Sequence, residues 1–269
     1  TDDALPRSKD VWVLKAASDD ADQNLSEIAP LPAARSIPPL PPRAHADMFW
    51  TGRYAERTED LLRLLLTAQA ELDQPGAYGP AGVVAASPRV LLDVLGRLAG
   101  MRSLDPEAEF RSLLLDGSRP GSAAHSIARL RDAMEGVRDQ LSGDTWRVFA
   151  TIDRALRALR TSAHPHRTSE SAGRMLAAML SLYGVTANMI RDSGWHMIEA
   201  GRFLERGLQL SVLLSTGLAQ RQDARATRSV LEGLLVASES VVTHRRRYRG
   251  SVRAADVLDL LLVDPSNPR

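Results

Sequence analysis

An all-α fold is what the sequence predicts: a helical bundle with an internal pseudo-twofold repeat, preceded by a short strand and a proline-rich linker. Three observations predict it. Alanine, leucine and arginine are plentiful while aromatics make up 4% of the 269 residues, a balance that favours helices. Beyond residue 15 no segment alternates with the two-residue period of a strand. One helical pattern also occurs twice, as Gly52-Arg53-Tyr54-Ala55-Glu56-Arg57 and Gly201-Arg202-Phe203-Leu204-Glu205-Arg206. Leucines follow at matching spacing, Leu61, Leu64, Leu65 in the first copy and Leu210, Leu213, Leu214 in the second.

Projected on a helix, Tyr54, Leu61, Leu64 and Leu65 form one apolar stripe, with Arg57 inside it and Arg53 and Glu56 at its edge. The second copy projects the same way. An arginine on a core-facing stripe needs a partner, because an isolated buried charge is very costly. The partners expected are the glutamates of the other copy: Arg57 with Glu205 and Arg206 with Glu56, across a pseudo-twofold axis. A glycine costs about 1 kcal/mol in a helix interior, so its recurrence points to close backbone approach. The plainer reading is a surface ladder of Arg–Glu pairs along each helix. The shared register of glycine, aromatic ring and leucines argues against it.

In chain order, Val11-Trp12-Val13-Leu14 reads as the end of a strand whose partners lie upstream. Residues 16–45 read as a linker, with Pro30, Pro32, Pro38, Pro39, Pro41 and Pro42 favouring an extended spacer. A first long helix is expected from about Ala46 to Asp73, capped by Asp47 and stopped by Gln74-Pro75-Gly76. Ser87-Pro88 opens a helix with Ser87 as cap, and Asp105-Pro106-Glu107 opens a short one. Further helices are expected at about 122–141, 145–162, 169–190, 193–219 and 227–247, then a short apolar piece at 255–262. The first and last residues, Thr1 and Arg269, carry no start or stop signal, so the sequence reads as part of a longer polypeptide.

The totals narrow the function. The net charge is +1, so no global field points to nucleic acid or a membrane surface. Cysteine is absent, which excludes disulfides and thiolate metal sites. No run of about 18 apolar residues marks a membrane span and no signal peptide opens the sequence, so a cytoplasmic protein is expected. A carboxylate-bridged di-metal bundle usually needs Glu-x-x-His on two helices. The sequence has none, only the reversed His196-x-x-Glu199, and no metal site is expected. His164-Pro165-His166 reads as a solvated loop, and the basic residues from His244 to Arg249 as a helix C-terminus favoured by the helix dipole.

Residues 46–269 resemble a bacterial all-helical family, the alpha-E domain. The motifs that carry the likeness are Trp50-Thr51-Gly52-Arg53-Tyr54-Ala55-Glu56-Arg57, the stretch from Gly121 through Arg131-Asp132 to Arg138-Asp139 and Trp146, Gly194-Trp195 with Gly201 to Arg206, and Arg247-Tyr248-Arg249-Gly250 leading to Asp264-Pro265. The middle motif departs from the family's usual Arg-Glu-Asn-Ala-Arg, keeping only its start as Arg131-Asp132. The likeness implies that the domain continues past Arg269. Residues 1–15 resemble the tail of a circularly permuted ATP-grasp domain on Ser8-Lys9-Asp10-Val11-Trp12-Val13.

Together these likenesses imply a fused ATP-grasp and alpha-E polypeptide in an amide-bond-forming system. ATP-grasp ligases activate a carboxylate as an acylphosphate that an amine then attacks. ATP and Mg²⁺ would be bound upstream, with no cofactor in the helical part. The implied partners are the ATP-grasp domain, a transglutaminase-like protease and a peptide or amino-acid substrate. Glu56 and Glu205 are the candidate catalytic residues. Arg53, Arg57, Arg202 and Arg206 are the candidate substrate-binding residues, since guanidinium groups suit a peptide carboxylate. Arg131, Asp132, Arg138, Tyr248 and Arg249 are outer candidates. On this reading Glu56→Gln stops product formation without unfolding the protein. The competing expectation is a scaffold that docks the ATP-grasp domain or a partner subunit, its Arg/Glu set being structural.

Overall fold

A computed structural model describes residues 39–79, 84–162, 164, 166–219 and 222–267. The expected strand at Val11–Leu14 and most of the linker lie outside the described residues. The body comprises α1 (Pro42–Leu72), α2 (Ala86–Ala99), α3 (Pro106–Leu115), α4 (Ala123–Glu135) and α5 (Thr145–Arg160). It continues with α6 (His166–Ala187), α7 (Ser193–Gly217), α8 (Ala224–Ala237), α9 (Val241–Arg247) and α10 (Ala254–Leu258). A 3₁₀ turn at Arg138–Gln140 and a π turn at Asp259–Val263 complete it. Among the described residues the one extended pairing is an isolated antiparallel bridge between Tyr78 and Val84. The fold is all-α.

α1 is the central rod. It packs along α7 for most of its length and touches α2, α4, α6 and α8, while α5 lies on α6 and α2 on α8. This placement follows from its sequence. Leu61, Leu62, Leu64, Leu65 and Ala68 are all buried, so α1 is apolar on several sides rather than along one stripe. Its buried threonines return their hydroxyls to the preceding turn: Thr51 to Asp47 O at 2.8 Å, Thr58 to Tyr54 O at 2.7 Å and Thr67 to Arg63 O at 2.8 Å. These three hydroxyls therefore sit in the packed interior with their hydrogen bonds made.

Several helix starts are set by side-chain caps. Asp105, Ser122, Asp192 and Asp223 accept from backbone N–H groups two or three residues on, at 2.9–3.1 Å. Two expected caps are not used. α1 begins at Pro42, with Pro41 extended before it, so Asp47 lies inside the helix. Proline suits a first helical position, where its missing N–H would have no partner anyway. Residues 42–45 thus belong to the helix rather than to the linker. Ser87 is likewise inside α2, which starts one residue earlier.

Two expected helices are shorter than their periodicity suggests. The segment from 122 stops at Glu135, where Gly136 leads into the 3₁₀ turn. The long helix expected at 227–247 is two helices. Glu239 takes φ 54° between them, and Ser240 N closes the turn on Leu235 O at 2.8 Å. No glycine marks this break, and a non-glycine residue in that region is uncommon.

Candidate functional site

The two repeated segments face each other at the α1–α7 contact. A Cβ on Gly52 would lie 2.0 Å from Ile198 O, and one on Gly201 would lie 2.1 Å from Phe49 O. Nothing larger than hydrogen fits either place, so the two glycines fix how close the backbones come. That distance in turn fixes which side chains can cross.

The charges that cross are reciprocal. Arg57 clasps Glu205 with Nε to Oε1 at 2.7 Å and Nη2 to Oε2 at 2.9 Å, and Arg53 Nε also donates to Glu205 Oε2. From the other helix, Arg206 Nε donates to Glu56 Oε1 at 2.5 Å and Arg202 Nε to Glu56 Oε2 at 3.3 Å. The expected pairs, Arg57 with Glu205 and Arg206 with Glu56, are those present. Arg202 also holds Glu199 at 2.7 Å. The helical projection misjudged which charge lies deepest. Glu56 is fully buried and Glu205 nearly so, whereas the four arginine side chains keep some exposure. A short carboxylate sits in the seam, and the long arginines reach it from the rim with their alkyl stems on apolar surface.

The two halves differ in what closes them. Tyr183 of α6 donates to Glu56 Oε2 at 3.0 Å, and the Arg202 guanidinium lies 4.0 Å above the Tyr183 ring. Burial raises the Tyr183 phenol well above its usual range, and the neighbouring Glu56 and Glu59 charges raise it further. It therefore stays protonated and donates. On the Glu205 side Gln209 takes this position, its Nε2 pointing to Glu205 Oε1 at 3.4 Å. Burial by itself would raise the Glu205 carboxyl, but the hydrogen bonds and charges of Arg57 and Arg53 outweigh it and hold the group below its ordinary value. Glu205 is therefore an anion at neutral pH and a weak proton acceptor.

Beside this second half lies a cleft of about 400 Å³ between α1, α2 and α7, lined by Arg57, Leu61, Arg97, Pro120, Gln209 and Val212 among others. Glu205 reaches its wall. The Glu56 carboxylate is sealed under Tyr183, and Arg206 of its half lines a separate, much smaller pocket with Asp60 and Leu210, whereas the Glu205 carboxylate itself borders the larger cleft.

The outer candidates lie apart from this seam. Arg131 bonds Asp153 at 2.8 Å with its guanidinium 4.8 Å above Phe149. Asp132 pairs with Arg129 at 3.2 Å. Arg138 pairs with Glu135 and covers Trp146. Tyr248 donates to Asp259, which pushes its phenol up to about 12, and Arg249 is exposed in the loop after α9. Sequence reasoning missed Tyr183, Gln209 and Arg97. Gln209 had a signal, since it stands one helical turn past Glu205, where the first copy has Asp60. Tyr183 and Arg97 come from other helices and carry none.

A helical body whose central helix pair is locked by reciprocal Glu-Arg dipeptides defines an all-α domain organised on that dipeptide. The chain belongs to the Alpha-E family, described as a predicted alpha-helical domain with a conserved ER motif, and matches it over residues 40–269. Glu56-Arg57 and Glu205-Arg206 are the two Glu-Arg dipeptides of the sequence. The chain is also similar to the uncharacterized protein Rv2567 of Mycobacterium tuberculosis and the uncharacterized protein Mb2597 of Mycobacterium bovis. Each is 34% identical over 288 residues, which cover 97% of this chain and 32% of the relative. The chain thus spans about a third of the length of these relatives. No solved structure matches it. Among the described residues no helix is long and apolar enough to cross a membrane.

Proposed function

We propose that this chain is the Alpha-E part of an ATP-dependent system joining a carboxylate to an amine, and that its helical body binds the peptide or amino-acid substrate. The observation that carries the binding role is the asymmetry of the seam: Glu56 is sealed, while the Arg57–Glu205 pair borders a cleft. A guanidinium at such an edge can take up a carboxylate, and a carboxylate held ionised can orient a cation or an N–H. Proton transfer fits this geometry less well, because both glutamates are neutralised by arginines and Glu205 is held below its ordinary range. Residues 1–15, with their ATP-grasp-like sequence, and the greater length of the relatives support a ligase part upstream.

The seam's donor set does not suit Mg²⁺ or ATP. Its carboxylates face guanidinium groups, and among the described residues no three His, Asp or Glu side chains gather as a metal site would require. ATP and Mg²⁺ belong to the upstream part on this reading, where they would supply the activation of a carboxylate. A cytoplasmic location and a transglutaminase-like protease partner are part of the same proposal. The test is mass spectrometry of full-length protein incubated with ATP and cell extract. A condensation product that requires ATP is expected, and absence of both product and ATP turnover would overturn the ligase assignment.

A second reading is a scaffold that docks the ATP-grasp domain. One observation favours it: Phe203, Leu204 and Leu208 stand exposed along α7. If scaffolding is the sole role, variants in the cleft leave ligation unchanged while Phe203→Asp or Leu204→Asp, outside the cleft lining, reduces it.

A further inference from the structure

The charged residues of α7 are Glu199, Arg202, Glu205 and Arg206, and none of them is exposed. All are engaged within the molecule: Arg202 with Glu199 and Glu56, Arg206 with Glu56, and Glu205 with Arg53 and Arg57. The outward face is therefore left without charge. From Ala200 to Ser215 every exposed residue of the helix is uncharged, and Phe203, Leu204 and Leu208 are 60%, 47% and 50% exposed. A helix turned to water ordinarily carries its charges on that side, as α5 does with Arg147, Arg154, Arg157 and Arg160. At about 1.5 Å per residue the neutral strip is about 24 Å long. A contiguous apolar surface of this extent marks an interaction site.

We infer that a second copy of this chain covers the strip, the two α7 helices lying antiparallel about a twofold axis between Gly207 and Leu208. That register sets large side chains on small ones. Leu204 falls opposite the copy's Ser211, Leu208 opposite its Gly207 and Ala200 opposite its Ser215. Gly207 leaves room for a leucine, since no atom lies within 4 Å of the place a Cβ would take. Phe203 falls opposite the copy's Val212, a wall of the cleft, so each copy closes one margin of the other's cleft. Charge selects the same occupant. Two copies of a charged face repel where equal signs meet, whereas a neutral strip meets itself at no such cost, and a twofold interface must be self-complementary. Because the charges of α7 are engaged internally, the strip offers an unlike partner no ion pair by which to be recognised. One helix face buries less than the total of about 1,200 Å² below which interfaces are weak, so the dimer is reversible. Dimerisation of this kind is independent of the ligase assignment.

The test is sedimentation velocity of full-length protein from about 1 to about 300 µM. The mass should rise from monomer to dimer with a Kd of about 10–100 µM, the weak end of specific association. Leu204→Asp should weaken the dimer at least about tenfold, and so should Ser211→Arg, because each sets an unpaired charge against a neutral surface. Both positions are exposed, so the urea midpoints of the single variants should stay at the wild-type value. The double variant, Leu204→Asp with Ser211→Arg, should dimerise within about threefold of wild type, since the register sets each new carboxylate against the copy's new guanidinium. Within one helix the two positions are two turns, about 10 Å, apart, so rescue reports contact between copies. A monomer at every concentration would overturn the inference and leave the strip to the ATP-grasp domain, as in the scaffold reading. A dimer indifferent to Leu204→Asp, or a double variant no stronger than either single one, would overturn it as well.

Discussion

Gly52 lies so close to Ile198 that a Cβ added to it would sit 2.0 Å from the Ile198 carbonyl oxygen. The obstacle is backbone and cannot swing aside as a side chain would. Gly52→Ala should therefore push α1 and α7 apart and destabilise the protein by about 2 kcal/mol or more, at the upper end of overpacking costs. Gly201→Ala, facing Phe49 O at 2.1 Å, should behave alike. Gly207 supplies the control, since it is exposed on the same helix with nothing near its missing Cβ. Gly207→Ala should stabilise by up to about 1 kcal/mol through helix propensity. Urea midpoints of the three variants check the ordering.

The helix pair was legible in the sequence because its signals are local and occur twice. Glycine, arginine and glutamate at fixed offsets on a leucine stripe constrain both the approach of the backbones and the sign of each charge. What was illegible comes from outside those windows. Arg119 is one of the largest buried side chains, held by Glu109, Ser112 and the carbonyls of Ala99 and Gly100. In sequence it sits among glycine, serine and proline, residues of a turn, where nothing marks a buried arginine. The break at Glu239 escaped because its helical period continues across 238–240 and no glycine or proline interrupts it. The start of α1 was misplaced because Pro41 and Pro42 suit a linker and a helix start equally well.

Arg119 and Glu109 give a second prediction. A buried pair loses about 3–5 kcal/mol when one member is removed, because the other charge is stranded. Arg119→Met alone should cost that much. Arg119→Met with Glu109→Gln should recover a good part of it, since no full charge is then left buried. A double variant no more stable than Arg119→Met would show that the carbonyl contacts, rather than the ion pair, dominate.

Burial changes what Glu56→Gln should do. The sequence reading expects a folded but inactive variant. With Glu56 fully buried, its loss of charge leaves Arg202 and Arg206 at the rim without their shared anion and weakens the Tyr183 hydrogen bond. Destabilisation is expected, but below the value of about 3–5 kcal/mol for a stranded buried charge, because both guanidinium groups reach the rim and Arg202 keeps Glu199. Tyr183→Phe removes one hydrogen bond to a charged acceptor and should cost about 1.5–3 kcal/mol. Because both act on one network, their combined cost should fall short of the sum, which a double-mutant cycle measures.

Glu205 should shape the acid limb of stability. Its folded-state pKa is lowered, with Arg57 and Arg53 outweighing burial. The stabilisation is therefore present above the unfolded value of about 4.5 and is lost as pH falls through the folded value. Glu205→Gln should flatten this part of the stability-versus-pH curve relative to wild type, besides lowering stability at neutral pH. An acid limb of unchanged slope would show that other carboxylates control it.

His244 should act in a separate pH window. It is buried on α9 with its ring stacked 5.1 Å from Tyr248, and its Nε2 has no hydrogen-bond partner. Burial lowers its pKa below the ordinary 6.5, although the Asp256 carboxylate pulls the other way. Between the lowered value and 6.5 the unfolded chain binds a proton that the folded chain does not. Stability should then fall as pH drops below about 6.5 and recover as it rises. His244→Phe keeps a ring beside Tyr248 and removes the titration, so it should be less sensitive than wild type to a change from about pH 7.5 to about pH 5.5. Urea unfolding of both proteins at the two pH values decides the matter: equal losses would mean that His244 is protonated as readily in the folded state as in the unfolded one.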